Sequence, residues 1–295
     1  MERKRLAALA ALALTLTLTA AARAQTGEWR MVTLPAPEFK REPPRAPRSA
    51  AKGPRLTLVS SRPNRVTDER DWFNRNGLAL PVYEIPGAPM ETWPMPYEPL
   101  PGFVPESYEG QRLVSAIRQP ESLLLIYGKD FSETRYLVSL DRRTGRFRYG
   151  FDFVNYSYPP DYLRGDRDYV YQTLKWAAEE DGTLYVSHAH MTYARSSKGM
   201  NAYLTAIDTR EGRVLWRSAP LVSNSANFEL AGDLIITGYG FTKEPDFLYL
   251  LDKRTGAVRQ QLPVASGPTY IIRKGERVHV RAYDKDLVLR LAGAR

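Results

Sequence analysis

The sequence predicts an all-β chain made of stacked four-stranded units, and three observations carry that expectation. A phrase recurs: LVSLDRRTGRFRY at 137–149, LTAIDTREGRVLW at 204–216 and LYLLDKRTGAVRQ at 248–260. Each copy is an apolar run, an Asp, a Gly four residues later and a second run. From about Gln111 onward, strand-length runs rich in β-branched and aromatic residues alternate with turn residues. Helical periodicity of useful length is confined to the leader, with a stretch around 169–178 as the one exception.

In chain order, residues 1–24 read as a signal peptide. MERKR is a basic head, residues 6–22 are apolar, and Ala22-Arg23-Ala24 offers small residues at the two positions a signal peptidase reads. Cleavage near Ala24-Gln25 makes the protein exported, periplasmic or extracellular. The chain has no Cys, which excludes disulfides, thiolate metal sites and a lipid-anchored cysteine.

Residues 25–54 read as a basic, Pro-rich tail or linker. Proline cannot donate to a β-ladder, so this segment is expected to be an extended spacer. Fifteen of the 22 prolines fall between Pro35 and Pro105. Residues 55–110 also carry Trp72, Phe73, Tyr83, Trp93, Tyr97 and Phe103. That many aromatics argue for an irregular strap packing on the body, with short strands at 56–61 and 78–85.

Net charge is +9, but the signal region carries +3 and residues 25–65 carry +6, so residues 66–295 sum to zero. A basic face for nucleic acid is therefore not expected. The tail could touch anionic surfaces such as lipid headgroups, or serve only as a linker.

Residues 111–295 form the body. The Asp of each repeated phrase can bond backbone amides ahead of it, and the Gly can take the left-handed conformation that a type I turn plus bulge requires. Asp141 and Gly145, Asp208 and Gly212, and Asp252 and Gly256 are therefore read as structural turns between antiparallel strands. Upstream of each hairpin lies another strand preceded by its own turn. Gly-to-Gly spacings are 67 and 44 residues. Such a unit cannot bury both faces of its sheet alone, and stacking units radially gives a β-propeller, here of four to five blades. A degenerate last unit spans 270–291, with 283–286 as a shortened turn. It lacks an outer strand, which a strand of the strap could supply to close the ring.

These units resemble the repeats of the pyrroloquinoline-quinone-type propeller family, whose phrase is roughly apolar-x-Ala-apolar-Asp-x-x-Thr-Gly-x-x-x-Trp. Leu204, Ala206, Ile207, Asp208, Gly212 and Trp216 match it best. The other two copies place Tyr149 and Gln260 at the Trp position. The resemblance covers 111–295 and implies a propeller. For activity it implies either quinone-dependent dehydrogenases or cofactor-free envelope scaffolds. The dehydrogenases are longer, with about eight blades, and hold the quinone under a Trp beside a calcium ion. No matching cluster is visible here.

His188-Ala-His190 is the first candidate for chemistry. Residues two apart on a strand share a face, so both imidazoles could serve a zinc or copper ion, with Glu179 or Glu180 adding a carboxylate. No third ligand is fixed by spacing, and an ordinary pair of non-ligating histidines is the simpler reading. The loop MTYARSSKGMN at 191–201 is the longest insertion between repeat strands, and Tyr193, Arg195, Lys198 and Asn201 make it a candidate binding loop. The stretch 151–171 mixes aromatics with carboxylates, which suits either a sugar or packing between blades. Nucleophile-elbow, phosphate-loop and His-Glu-x-x-His motifs are absent.

The expectation is an exported propeller acting as a binding or scaffold module of the envelope, without catalysis of its own and with no cofactor. Its partner would be an envelope protein or a small ligand, and it would not be an integral membrane protein. The alternative is a small oxidoreductase using pyrroloquinoline quinone (PQQ) or a divalent metal on the His188/His190 face, or a carbohydrate-binding propeller.

Overall fold

The computed structural model describes residues 29–45, 53–85, 98–158 and 170–293. The N-terminal part contributes β1 (Met31–Thr33), β2 (Arg55–Pro63), one helix α1 (Glu69–Asn76), β3 (Tyr83–Glu84), β4 (Glu98–Pro99) and β5 (Ser107–Tyr108). Four antiparallel meanders follow. Blade one is β6 (Gln111–Arg118), β7 (Ser122–Asp130), β8 (Glu133–Asp141) and β9 (Phe147–Asp152). Blade two is β10 (Thr173–Glu180), β11 (Thr183–Ala189), β12 (Tyr203–Asp208) and β13 (Val214–Arg217). Blade three is β14 (Glu229–Ala231), β15 (Leu234–Tyr239), β16 (Phe247–Asp252) and β17 (Val258–Pro263). Blade four takes β18 (Pro268–Lys274), β19 (Arg277–Ala282) and β20 (Lys285–Ala292) from the C-terminus. Its fourth strand is β2, paired antiparallel to β20 from Arg55↔Ala292 to Pro63↔Lys285. Among the described residues the fold is an all-β propeller of four blades; blades two, three and four are four-stranded, and β1 and β5 widen the sheet of blade one to six strands.

The middle strands explain why the apolar runs are continuous rather than alternating. Leu123 through Tyr127 on β7 are all inaccessible to solvent, because one face packs toward blade two and the other is covered by Trp29, Tyr83, Val104 and Tyr108 of the N-terminal segments. One core cluster runs through all four blades, from Leu124 and Ile126 through Trp176, Leu204 and Ile235 to Tyr270 and Ile272.

The repeated turns close as local chemistry requires. Asp141 Oδ1 accepts from the backbone N–H of Arg143 and Thr144 at 3.0 and 2.7 Å, and Gly145 has φ +71°. Asp208 accepts from Arg210 and Glu211, and Asp252 from Arg254 and Thr255, with Gly212 at φ +67° and Gly256 at φ +70°. The register slips by one residue next to each turn, as a type I turn with a bulge demands. Trp216 packs against Gly256 of the next blade and donates its Nε1 to Lys253 O at 3.1 Å. Gln260, at the same repeat position, exchanges two hydrogen bonds with the backbone of Leu56 and so fastens β2.

Several expectations need correction. The stretch around 169–178 is not helical: β10 occupies most of it, and its Leu174, Trp176 and Ala177 are buried between blades. The helix lies in the strap instead. α1 ends in a Schellman motif, where Gly77 at φ +57° donates to Asn74 O and Leu78 N donates to Phe73 O. Its Trp72 and Phe73 pack on Tyr270 of blade four, while Val82 bridges Ile117 of blade one, so this segment joins the two ends of the blade series. No fifth blade forms from the described part of the strap. The 283–286 turn joins β19 to β20 and corresponds to the second connection of the other blades, not to the Asp-x-x-x-Gly turn. Residues 29–45 are not a free spacer. β1 pairs in parallel with β9, Leu34 is fully buried, and Phe39 stacks on Tyr158 with centroids 5.2 Å apart. A Pro-rich segment can do this because edge addition uses few donors. The signal region 1–24 lies outside the described residues. Among those described, no helix is long and apolar enough to cross a membrane.

Candidate functional site

A groove of about 700 Å³ opens where loops of blades two, three and four converge. Lys175 and His190 supply the wall from blade two. Gly240 to Asp246 come from the β15–β16 loop, and 265–269 with Tyr283 and Asp284 come from blade four. The floor is fixed by hydrogen bonds between neighbouring blades. Ser225 Oγ donates to Pro268 O at 2.7 Å, Ala226 N donates to Thr269 O at 2.8 Å, and Asn224 brackets Gly240 through both its amide groups. Gly240 and Gly267 let the two loops touch, since a Cβ on Gly240 would sit 2.2 Å from Gly267 Cα. The volume is within the range of preformed small-ligand pockets.

Backbone irregularity aims side chains into this space. The β10–β11 register skips Lys175, and the β18–β19 register skips Thr269, so both are bulge residues at the groove. A bulge bends its strand and redirects the extra side chain. Lys175 is half-buried, and its Nζ lies 3.1 Å from Met191 Sδ. Burial lowers its amine to about 8. Across the groove, burial and the carboxylates of Asp284 and Glu244 raise Asp246 above the usual carboxylate range, against a backbone hydrogen bond from Phe241.

The histidine pair enters an aromatic cluster. His188 is fully buried, stacks on Tyr203 at 5.7 Å, meets Tyr156 edge-on at 5.3 Å, and faces Phe39. Its Nε2 lies 3.0 Å from Thr205 Oγ1, and its Nδ1 has no partner. Burial first, and the Arg217 charge second, hold it well below the ordinary histidine value. His190 Nδ1 accepts the Thr192 N–H at 3.3 Å, which leaves the ring proton on Nε2, 2.7 Å from Ser197 Oγ. Both His190 nitrogens are thus engaged, and no group of three or more His, Asp or Glu capable of holding a metal occurs among the described residues. This donor set does not fit a divalent metal. Nor is His190–Ser197 a nucleophilic pair. A base must offer a free Nε2 to the hydroxyl and donate from Nδ1, the reverse of what is seen, and Ser197 is fully buried.

The candidate binding loop divides. Tyr193 packs edge-on against Phe241, a groove residue, with centroids 4.8 Å apart, and the Arg195 guanidinium lies over the Tyr193 ring. Ala194 N donates to Glu244 Oε1 at 2.9 Å. Asn201 is buried and structural, accepting from His190 N and donating to Thr192 O. Lys198 occupies a left-handed turn at φ +55°. The loop therefore lines the groove with Met191 and braces it through Tyr193 and Ala194. In the described part of 151–171, Phe151, Phe153, Tyr156 and Tyr158 are buried and Arg135 clamps Asp152 with bonds of 2.8 and 2.7 Å. These four rings are packed inside the protein, while Tyr171 is exposed. Asp161, Asp166 and Asp168 lie outside the described residues.

Sequence reasoning missed Lys175, Asp246 and Asp284. Lys175 left one signal: it interrupts an otherwise buried run of Thr173, Leu174, Trp176 and Ala177.

No protein-family model matches the chain, and no curated protein sequence matches it. Among solved structures it is similar to the computationally designed Ika4 protein, at 11% identity and TM-score 0.41 over 64% of this chain and 96% of that one. BamB from Moraxella catarrhalis aligns at 13% identity and TM-score 0.33, over 63% of this chain and 61% of that one. Dihydro-heme d1 dehydrogenase NirN in complex with DHE aligns at 14% and 0.40, over 61% of this chain and 35% of that one. The chain thus spans less than two thirds of the last two. The propeller assignment rests on strand order and register.

Proposed function

We propose that this protein is an exported, non-catalytic propeller that binds its partner or ligand in the groove between blades two, three and four. The carrying observation is the convergence of loops from three blades on a floor stapled by interblade hydrogen bonds. Export is supported by the signal-type composition of residues 1–24. The three Asp-x-x-x-Gly turns with Trp216 support kinship with the PQQ-type repeats. The basic residues of 25–65 fit attachment near an anionic envelope surface. A quinone or metal enzyme draws no support from the His188/His190 face, where the rings are packed and hydrogen-bonded. A scaffold of this kind needs only a rigid groove.

The test is a native mass of the mature protein isolated gently from its host, repeated with Thr242→Trp at the groove mouth. The expected result is a bound protein or organic ligand that Thr242→Trp displaces. A stoichiometric metal or quinone, or turnover of an alcohol or sugar with added quinone, would overturn the non-catalytic reading. Capture that survives Thr242→Trp would remove the groove as the site.

A further inference from the structure

Of the charged residues that line the groove, Lys175 and Asp246 have no ion-pair partner among the described residues. Lys175 Nζ donates to a thioether, Met191 Sδ, which is a weak acceptor, and no carboxylate pairs with it among the described residues. Asp246 Oδ1 is buried without a hydrogen-bond partner, and the charges acting on this carboxylate are the like charges of Asp284 and Glu244. Both side chains are part-exposed to the groove, so a ligand of complementary charge can reach them. They stand on different blades, Lys175 on β10 and Asp246 on the β15–β16 loop, with Asp284 on the β19–β20 turn.

We propose that the groove binds a small zwitterion of the amino-acid or short-peptide class, with its carboxylate on Lys175 and its ammonium toward Asp246 and Asp284. This rests on the groove being the binding site. A single ammonium suits a monoanionic carboxylate better than a phosphate, which calls for several donors. Lys243 is exposed at the rim and His190 is engaged with Ser197, so neither adds a second donor at depth. On the acidic side, an ammonium relieves the repulsion among the carboxylates and supplies donors to Asp246. The bulges at Lys175 and Thr269 and the glycine contact between loops preorganise the two walls, which lowers the ordering cost of binding.

The experiment uses the full mature chain and three probes: the dipeptide Ala-Ala, its N-acetylated form and its C-terminal amide. Calorimetry should give Ala-Ala a Kd on the order of 1 mM or tighter. Each capped form should bind at least about tenfold more weakly, the cost of one lost charge-assisted contact. Lys175→Met should bring Ala-Ala down to the level of the amide and leave the amide unchanged. Equal binding of the three probes, indifference to Lys175→Met, or no binding of any probe at about 10 mM would overturn the proposal. Should Lys175→Met not fold, amine labelling of the wild-type chain decides: Ala-Ala should protect Lys175, and equal labelling with and without it counts against the idea. If the dipeptides fail while Thr242→Trp still abolishes partner capture, the groove stands and the zwitterion falls.

Discussion

The buried His188 makes stability depend on pH in a calculable way. Its imidazole is inaccessible, its Nδ1 is unpaired, and the Arg217 guanidinium stands nearby, so the folded state refuses a proton that the unfolded chain accepts at the ordinary value of 6.5. The sign follows from linkage. Above 6.5 neither state is protonated at this position and nothing is lost. As pH falls below 6.5 the unfolded state gains a proton and stability declines, and it goes on declining until the depressed folded value is reached. Between the two values the slope approaches about 1.4 kcal/mol per pH unit. His188→Phe keeps an aromatic ring among Tyr156, Tyr203 and Phe39 and removes the proton site. Its absolute stability shifts by repacking, but wild type should lose stability relative to it steadily as pH falls below 6.5 in urea unfolding. His279, also lowered by burial, is present in both proteins and cancels. A pH-independent difference would refute the reasoning, and a chelator-sensitive curve would restore a metal at the His pair.

Three further outcomes are expected. Trp72→Ala removes the fully buried ring that wedges α1 against Tyr270, and should cost about 3–5 kcal/mol in chemical denaturation. Gly256→Ala places a Cβ 2.4 Å from the Trp216 ring in a left-handed conformation, and should cost about 2 kcal/mol or more by the same assay. Asp68→Asn weakens the ion pair that holds the buried Arg281 guanidinium between Asp68 and Asp286. About a quarter of Asp68 remains in water, so the expected loss is about 1–2 kcal/mol at neutral pH. Burial pushes Asp68 up, but the Arg281 hydrogen bond and charge outweigh it and hold the carboxyl below its ordinary value. The penalty of Asp68→Asn should therefore vanish as pH falls through the folded value, and a penalty unchanged in acid would argue against this pairing.

The body of the fold was legible because its signals are short-range. An Asp bonding amides two and three residues ahead, and a Gly at positive φ, leave a five-residue trace that recurs three times. The outer partner of β20 is LTLVSS, from more than 200 residues away. Helix α1 was missed although Asn76-Gly77 is a helix-stop signal, because eight residues with few apolar positions carry little periodicity. β10 was misread because Lys175 and the bulge it creates disturb strand alternation. The His pair was found, but its role was not legible, since the rings that enclose it come from Phe39, Tyr156 and Tyr203 on three separate segments.

By itself the sequence determined the strands, their turns and the need for an outside strand to finish the last blade, because strand propensity and turn chemistry act within a few residues. The tertiary structure decided what those strands enclose. Stacking of the blades brings the loops of blades two, three and four together, encloses His188 among aromatic rings, packs His190 into the groove wall and leaves Lys175 and Asp246 lining one groove. Those juxtapositions depend on how blades stack in space, and no local pattern encodes the distance between residues that meet only after the blades have packed.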